Sequence, residues 1–319
     1  MNSFEDYIKE PASEFSHNLS GKNSQITTFS MDDMNIVKKA EKPFRSRYLV
    51  DPDNVFSYNA WDDVEWDEEQ KKMAIEKINK QMSCPIVNKE KYLNNPSFFW
   101  DKFYQNHKTH FFKNRKWLFH EFPQILDCIS PYSGKKYILE IGCGVGNTMI
   151  PILLQNKNPF LIIHGVDYSK KAIEILKKSE FFSGDNIRAS VWDMANLDGE
   201  FPEDATNVDI VILIFSFSSL SPSQWDVAML KPGGIILFRD YGRWDMTQLR
   251  FKKERFLEDN FYIRGDGTRV YFFSHEQIPE IFGKLFKIER NELDKRLLVN
   301  RATMQKMYRV WIHGVFKKI

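Results

Sequence analysis

The chain has 319 residues, of which 42% are hydrophobic and 15% aromatic, enough for one large domain or two modest ones with an apolar core. No run approaches the roughly 18 apolar residues of a membrane span, and the start of the chain carries Glu5 and Asp6 and lacks the apolar stretch of a signal peptide. The three cysteines form neither a metal-ligand pattern nor a disulfide framework. We therefore expect a cytoplasmic protein without a metal site or membrane attachment.

Charge is unevenly spread, although the formal net charge is only +2. Residues 51–70 hold eight acids and no Lys or Arg, residues 88–136 hold nine Lys or Arg against four acids, and residues 284–319 hold ten against three. Two basic regions of this kind are typical of a surface that binds a polyanion. Ordinary solvated charge explains the composition equally well, so composition leaves both interpretations open.

The first part of the chain predicts a tail and an irregular extension rather than a sheet. Residues 1–42 are polar and aperiodic, which predicts a flexible tail. Residues 43–66 are rich in aromatics but have no strand or helix period, so we expect them to lie pinned against a domain or a partner. A helix should span about residues 65–81, and residues 96–120 mix aromatic side chains with Lys, Arg and His.

From residue 137 onward, apolar strands alternate with helical patterns. We predict strands near residues 137–142, 160–167, 187–193, 208–215, 234–240, 285–291 and 310–317, and helices near residues 145–156, 169–181 and 275–283. This order predicts an α/β, Rossmann-like fold with a mostly parallel seven-stranded sheet and helices on both faces. The connection 215–234 is short for a crossover, since only the stretch SPSQWDVAML has a helical pattern.

A glycine turn follows the first strand of this alternating region. Residues 138–146 read ILEIGCGVG, and the glycines stand at Gly142, Gly144 and Gly146. Glycines allow a tight turn and let a ligand lie against bare backbone. The G-x-G-x-G spacing is shorter than the dinucleotide fingerprint and favours S-adenosylmethionine (SAM), which has no pyrophosphate. Glu140, inside the strand end, adds the acidic residue of such a site.

Acidic residues close the next two predicted strands. Asp167 lies 25 residues after Gly142, where a carboxylate can accept both ribose hydroxyls of a nucleoside. Asp193 ends the third strand and is placed for an adenine amino group. Because ligands of such sheets bind at the carboxyl ends of the strands, these acids and the glycine turn predict one site. A tight turn in a ligand-free fold is the alternative.

Together these stretches resemble the class I, SAM-dependent methyltransferases that form 3-methylcytidine in tRNA. The resemblance covers residues 43–319 and rests on the motifs FFKNRKW, LEIGCGVGN, VDYSKKAIE, ILIFSFSSLSP, KPGGIILFRDYG and FYIRGDGTRVYFF followed by Ser274. It implies an N-terminal extension that binds tRNA and covers SAM (43–136) and a methyltransferase domain (137–319). The segment VDPDNVFSYNAWDDVEW resembles the threonine-tRNA branch, which implies cytidine 32 of the anticodon loop of tRNA-Thr as substrate, with tRNA-Ser as a further one.

The resemblance also implies which residues hold SAM. Two aromatic residues of the extension would close over the cofactor, and residues at the strand ends would contact its methionine, ribose and adenine parts. These residues are Trp100, Tyr104, Gly142, Gly144, Gly146, Asp167, Asp193, Met194 and Ile214. Core packing on one face of a helix is the alternative for Trp100 and Tyr104, since they are spaced i, i+4.

Cytosine N3 is unprotonated at neutral pH, so the expected reaction needs orientation and a negative partner for the developing cation rather than a strong base. Asp240 is our candidate for that partner, Tyr241 for stacking on or hydrogen bonding to the base, and Arg239 for contacting the O2 carbonyl or a phosphate. The alternative for Asp240 is an ion pair that fixes Arg239 or Arg243.

A base in an anticodon loop must leave its stack to reach SAM, and aromatic rings and Arg planes commonly clamp such bases. The expected RNA contacts are Phe111, Phe112, Lys113, Arg115, Arg264, Arg269 and Tyr271. Each of them could instead be a surface charge or a core aromatic. Two other functions remain open: a SAM-dependent methyltransferase of a protein or small molecule, and a non-catalytic tRNA-binding subunit. An auxiliary protein such as an aminoacyl-tRNA synthetase also remains open.

Overall fold

An eight-stranded sheet organises the chain in the computed structural model, which describes residues 46–115, 117–196, 208–225 and 234–319. A second, three-stranded sheet lies beside it. In chain order the strands are β1 (Ala60–Asp62), β2 (Lys136–Ile141), β3 (Leu161–Asp167), β4 (Ile187–Val191), β5 (Ile210–Ile214), β6 (Ile235–Tyr241), β7 (Phe256–Glu258), β8 (Phe261–Ile263), β9 (Arg269–Tyr271), β10 (Phe286–Asn300) and β11 (Gln305–Lys318). The predicted tail, 1–42, and residues 226–233 of the short connection lie outside the described residues.

The strand order of the large sheet is β1-β10-β11-β6-β5-β2-β3-β4. The five strands from β6 to β4 pair in parallel, as predicted, whereas β11, β10 and β1 add antiparallel pairs at one side. The chain runs outward from β2 in both directions, through β3 and β4 on one side and β5 and β6 on the other. The order therefore reverses at β2, and its carboxyl end is the switch point where such sheets bind ligands.

The helices, in chain order, are α1 (Glu68–Met82), α2 (Glu90–Leu93), α3 (Pro96–His107), α4 (Leu118–Glu121), α5 (Gln124–Ile129), α6 (Met149–Gln155), α7 (Lys170–Lys177), α8 (Met246–Leu249) and α9 (Gln277–Phe282). Local sequence explains several boundaries. Asp67 caps α1 by accepting the backbone N–H of Gln70, and Ser169 caps α7 by accepting that of Ala172. In the described ranges, the helices are all too short or too polar to cross a bilayer.

Two apolar clusters cover the two faces of the large sheet, because successive strand residues point to opposite faces. Ile138 belongs to the cluster formed with helices α4 to α7, whereas Leu139 belongs to the cluster on the other face. On that second face the cover is formed by α9 together with strands β8 and β9, represented by Phe261 and Tyr271. The prediction of helices on both faces missed this small antiparallel sheet.

The aromatic segment 43–66 is attached to the sheet in its described part, as expected. Its strand β1 pairs with β10, and the Trp61 indole is buried and donates to the Val55 carbonyl at 2.8 Å. Trp61 packs with Leu297 and Val299 of β10 in a small apolar cluster. The extension thus supplies an eighth strand that the prediction of seven strands did not include.

Candidate active site

The glycine turn lies at the carboxyl end of β2 and is closed on both sides by protein. Gly142 and Gly144 have φ values of +76° and +55°, a region that favours glycine. A Cβ at Gly142 would collide with Ser216, which follows β5, and one at Gly144 would collide with the Tyr104 hydroxyl. The turn therefore requires glycine both for its backbone conformation and for the close approach of neighbouring residues.

Asp167 ends β3 and ties the glycine turn to the next loop. Its carboxylate accepts the Gly144 N–H at 2.9 Å and the Ser169 N–H at 2.8 Å. The side chain is buried, and burial raises the pKa of the Asp167 carboxyl to about 6. The carboxyl, which lines the cavity, is thus oriented by two backbone donors.

One cavity joins the glycine turn to residues from six other parts of the chain. The residues of the predicted site that line it are Trp100, Tyr104, Phe111, Phe112, Arg115, Gly142, Gly144, Asp167, Ile214, Tyr241 and Arg264. The other predicted cofactor residues lie outside its lining: Gly146, Asp193 and Met194. A Cβ at Gly146 would press on Leu176 of α7, so this glycine serves helix packing.

Several lining residues were not predicted as contacts. Phe215 follows β5 with a left-handed backbone, φ +55°, and its ring packs against Tyr241 at 4.9 Å between centroids. Ser216, Asp266 and Thr268 also line the cavity. In the sequence these residues occur within the quoted motifs ILIFSFSSLSP and FYIRGDGTRVYFF, and no other feature of the sequence predicted that they line the cavity.

The residues around the glycine turn fit SAM. Trp100 Nε1, Glu140 Oε2 and Ser216 Oγ are buried and have no hydrogen-bond partner among the described residues. Burial raises the pKa of Glu140 to about 8, whereas Thr148 and Arg115 act to lower it. A cofactor with an ammonium group, a carboxylate and ribose hydroxyls supplies the complementary groups that these atoms lack.

Helix α3 covers the turn with aromatic rings. Trp100 and Tyr104 stack at 5.9 Å between centroids, and Tyr104 is 5% exposed. Asp101, between them on the helix, accepts the Ser169 hydroxyl at 2.7 Å and the Lys171 N–H at 3.0 Å. The geometry agrees with both interpretations of Trp100 and Tyr104, cofactor contact and core packing, because the rings line the cavity and also pack in an apolar cluster.

The stretch after α3 forms an aromatic and basic wall. Phe111 and Phe112 line the cavity, and their rings meet edge to face at 4.8 Å. Arg115 Nε donates to the Thr148 hydroxyl at 3.0 Å, and its guanidinium lies 5.3 Å from the centroid of the Phe215 ring. Lys113 is exposed between them. This wall lies beside the glycine turn rather than on a separate surface.

Arg239 lies in a buried ion cluster, which corrects its expected role at the base. Its guanidinium pairs with Glu121 at 3.1 Å and Asp294 at 3.0 Å and lies between the rings of Trp117 and Trp311. Arg239 and Tyr241 are two residues apart on β6 and share a strand face, but only Tyr241 lines the cavity.

Asp240 also lies outside the cavity lining and is fully buried. Its two carboxylate oxygens accept the backbone N–H groups of Ser218 and Tyr241 at 2.8 and 2.9 Å. Burial raises the pKa of Asp240 to about 6. Asp240 therefore holds two backbone segments instead of facing the base directly. Among the described residues it forms no ion pair with Arg239 or Arg243, so the alternative is also wrong.

Two predicted RNA contacts lie inside the fold. Arg269 is 2% exposed, and its guanidinium donates to the Leu93 carbonyl and to Gln224 Oε1, each at 3.4 Å. Tyr271 is 3% exposed, and its hydroxyl accepts from Gln277 at 2.9 Å. Both side chains stand on β9, which packs against the large sheet, so neither can contact RNA.

The strand order, the glycine turn at its switch point and the acid at the end of β3 define a class I SAM-dependent methyltransferase. Residues 139–236 match the family described as "Methyltransferase domain". A solved SAM-dependent methyltransferase from Anabaena variabilis aligns with 74% of this chain and 97% of its own, at 14% identity and a TM-score of 0.48.

Curated relatives are more similar in sequence. The chain is 49% identical to the tRNA N(3)-methylcytidine methyltransferase of Schizosaccharomyces pombe over 281 residues, 86% of this chain and 92% of that protein. It is 50% identical to the tRNA(Thr) (cytosine(32)-N(3))-methyltransferase of Saccharomyces cerevisiae, covering 86% of this chain and 45% of that protein. A Xenopus tropicalis tRNA N(3)-cytidine methyltransferase is 40% identical over 86% of this chain and 94% of its own length. The chain belongs to the tRNA N3-methylcytidine methyltransferase family.

Proposed function

We propose that the protein transfers the methyl group of SAM to N3 of cytidine 32 in the anticodon loop of tRNA-Thr, with tRNA-Ser as a further substrate. The names of the fungal relatives support the reaction and the threonine tRNA. The observation that carries the proposal is a single cavity in which the glycine turn faces Phe112, Arg115, Tyr241 and Arg264. Such a cavity offers a cofactor cradle and a wall for an RNA base in one place.

The chemistry asks little of the protein besides orientation. Bound SAM supplies an electrophilic methyl group, and the N3 lone pair of cytosine is free at neutral pH. Tyr241 would hold the base, with Arg264 lying 5.6 Å from the centroid of its ring. Asp240 would act through the backbone, because it fixes the N–H of Tyr241 and that of Ser218. Most of the catalysis would then come from proximity and a preorganised charge environment.

The extension 43–136 would receive the flipped base. Phe111 and Phe112 offer rings for stacking, and Arg115 offers a guanidinium plane at the cavity wall. Trp100 and Tyr104 of α3 would cover SAM, while Asp193 and Met194, next to the end of β4, would flank its adenine. Under this division, residues 137–319 form the methyltransferase domain, and the protein acts in the cytoplasm.

The test is incubation of the purified protein with SAM and cell-derived or unmodified tRNA-Thr, followed by nuclease digestion and mass spectrometry. We expect 3-methylcytidine at position 32. A thermal shift with SAM but no product on either tRNA would contradict the proposal for the isolated chain. Product only after addition of an aminoacyl-tRNA synthetase would identify the auxiliary partner. Absence of a SAM shift would favour a non-catalytic tRNA-binding subunit, and methylation without RNA a protein or small-molecule substrate.

A further inference from the structure

The turn between β8 and β9 is a rigid part of the cavity wall. The Arg264 N–H donates to the Thr268 carbonyl at 2.8 Å, and the Gly267 N–H donates to the Arg264 carbonyl at 3.0 Å. Gly267 has φ +89°, and a Cβ there would collide with the ring of Phe99 on α3. The turn is therefore fixed both internally and against the helix that carries Trp100.

This turn presents one oriented carboxylate to the cavity. Asp266 Oδ1 accepts the Thr268 N–H at 2.8 Å and the Thr268 hydroxyl at 2.7 Å. Among the described residues no hydrogen bond engages Asp266 Oδ2. The side chain is exposed and lines the cavity. The first oxygen thus fixes the carboxylate, and the second is left for a ligand.

The same turn also presents a donor. Arg264 is 7% exposed and lines the cavity, and its Nη1 donates to the Thr268 hydroxyl at 3.3 Å and to the Arg269 carbonyl at 3.0 Å. Its Nε is buried and has no hydrogen-bond partner among the described residues. An acceptor and a cationic donor therefore stand two residues apart at one edge of the cavity.

We propose that Asp266 recognises the exocyclic N4 amino group of the target cytosine and is the residue that selects cytosine. This inference rests on the function proposed above. The Watson–Crick edge of cytosine offers a donor at N4, the reacting lone pair at N3 and an acceptor at O2. A carboxylate is a matching acceptor for cytosine N4, and Arg264 provides a donor for O2. Uracil places an oxygen at position 4, which a carboxylate repels.

The same contact would assist the reaction. The N3 lone pair forms the new N–CH3 bond, the S–CH3 bond breaks, and its electron pair stays on sulfur. No proton moves, and the positive charge passes from sulfonium to the pyrimidine ring, where it spreads over N3 and N4. A carboxylate beside N4 stabilises that charge as it develops. Asp266 thereby takes the place in which Asp240 was expected.

The proposal is tested by a double-substitution cycle, in which the Asp266 side chain and the base at position 32 of the tRNA are changed separately and together. Full-length tRNA-Thr is assembled with either cytidine or 2-pyrimidinone, which lacks the amino group, at position 32. Single-turnover methylation is measured with saturating SAM for the wild type and Asp266→Asn. We expect Asp266→Asn to slow methylation of the cytidine tRNA by about 100-fold and that of the 2-pyrimidinone tRNA by less than about threefold. Affinity for S-adenosylhomocysteine should stay within about twofold.

Two control variants separate recognition from folding of the turn. Asp259→Asn changes an exposed acid of the same small sheet that does not line the cavity, and it should leave both rates unchanged. Thr268→Val removes the hydroxyl that donates to Asp266 but keeps the carboxylate and the Thr268 N–H that orients it, so the loss should be smaller than in Asp266→Asn and larger for cytidine than for 2-pyrimidinone. Equal losses for Asp266→Asn on both tRNAs would overturn the role of Asp266 alone. Absence of product from the wild type on the cytidine tRNA would overturn the proposed function, and this inference with it.

Discussion

Glu140 stands at the end of β2 as a buried carboxyl group, and burial raises its pKa to about 8. Asp167 and Asp240 are also buried, with pKa values raised to about 6. A raised folded-state pKa means that the folded protein favours the neutral acid. The stabilising contribution of each group is complete below its unfolded pKa, near 4, and is lost as pH rises through its folded pKa. These three acids therefore lower the stability of the folded state progressively as the pH rises from about 4 to about 8.

Replacement of Glu140 by Gln should remove the largest part of this dependence. We expect Glu140→Gln to melt about 5 °C higher than the wild type at pH 9, because ionising a carboxyl of strongly raised pKa costs a few kcal/mol. At pH 5 the two proteins should melt within about 1 °C of each other. Thermal melts at constant ionic strength measure the difference, with Glu180→Gln as an exposed carboxyl control. An equal difference at both pH values would show that ionisation of Glu140 is not the cause.

Asp240 acts on the site through two backbone donors. In Asp240→Asn only one side-chain oxygen remains, and the new amide would face either the Ser218 or the Tyr241 N–H. We expect turnover with tRNA to fall by about 100-fold, because Tyr241 would lose its fixed position beside the base. Affinity for S-adenosylhomocysteine, measured by calorimetry, should change much less. Near-normal turnover in this variant would contradict a role of Asp240 in the reaction.

At the scale of elements, the Asp101 side chain ties helix α3 to the cofactor site by hydrogen bonds, in addition to the packing of its aromatic rings. Asp101 bridges to the start of α7 through the Ser169 hydroxyl and the Lys171 N–H. The same loop contains Asp167, whose carboxylate holds the glycine turn. Asp101 thus couples the aromatic cover to the backbone that cradles SAM, and it does so as a positioning residue.

Loss of this bridge should weaken cofactor binding more than the chemical step. Asp101→Ala should raise the KM for SAM by about tenfold, in line with the loss of hydrogen bonds to a charged group, while kcat at saturating SAM stays within about twofold. Asp101→Asn keeps an acceptor and should recover part of the affinity. Gln105→Ala, an exposed change on the same helix, is the matched control. A fall in kcat without a change in KM would contradict a clamp on the cofactor cover.

The sequence predicted the elements whose burial depends only on local pattern. Most of the parallel strands are largely apolar, as in β5 (Ile210–Ile214), and β2 to β6 were placed within a few residues. The last hairpin was predicted as 285–291 and 310–317 but spans Phe286–Asn300 and Gln305–Lys318. Its extra length includes Asp294, which is buried against Arg239. Asp294 interrupts the apolar pattern of the strand, and the sequence does not show that it is paired, because its partner Arg239 lies 55 residues away in the chain.

The site was predictable to the same degree. The glycine turn and Asp167 lie at the strand ends where the sequence placed them, because strand ends follow from local pattern, whereas their contacts with SAM stay a prediction. The ion-pair partners of Arg239, Glu121 and Asp294, are distant in the sequence, so the sequence alone does not reveal that this side chain is engaged away from the cavity. The cover of the second face is formed by strands of three residues each, which leave no measurable periodicity. Arg269 and Tyr271 were misassigned for that reason.

At the scale of the whole molecule, the N-terminal extension and the last hairpin form one structure with the parallel sheet. Strand β1 pairs with β10, and Glu121 of α4 meets Arg239 of β6 and Arg296 of β10. The backbone on both sides of the exposed Lys113 is held next to the glycine turn, because Asn147 donates to the Phe112 carbonyl and the Arg115 N–H donates to the Asn147 carbonyl. A cation carried there suits a phosphate near the flipped base better than one farther along the tRNA.

Binding of tRNA should consequently depend strongly on salt, with a defined share from Lys113. We expect the logarithm of the association constant to fall linearly with the logarithm of salt concentration, because each neutralised phosphate releases counterions. Lys113→Ala should make that slope shallower by about 0.7–0.9, the share of one phosphate contact. Lys135→Ala, at the amino end of β2 and thus at the opposite edge of the sheet, should leave the slope unchanged. Fluorescence anisotropy with labelled tRNA at several salt concentrations gives both slopes. Equal slopes for wild type and Lys113→Ala, or binding insensitive to salt, would mean that this cation contacts no phosphate.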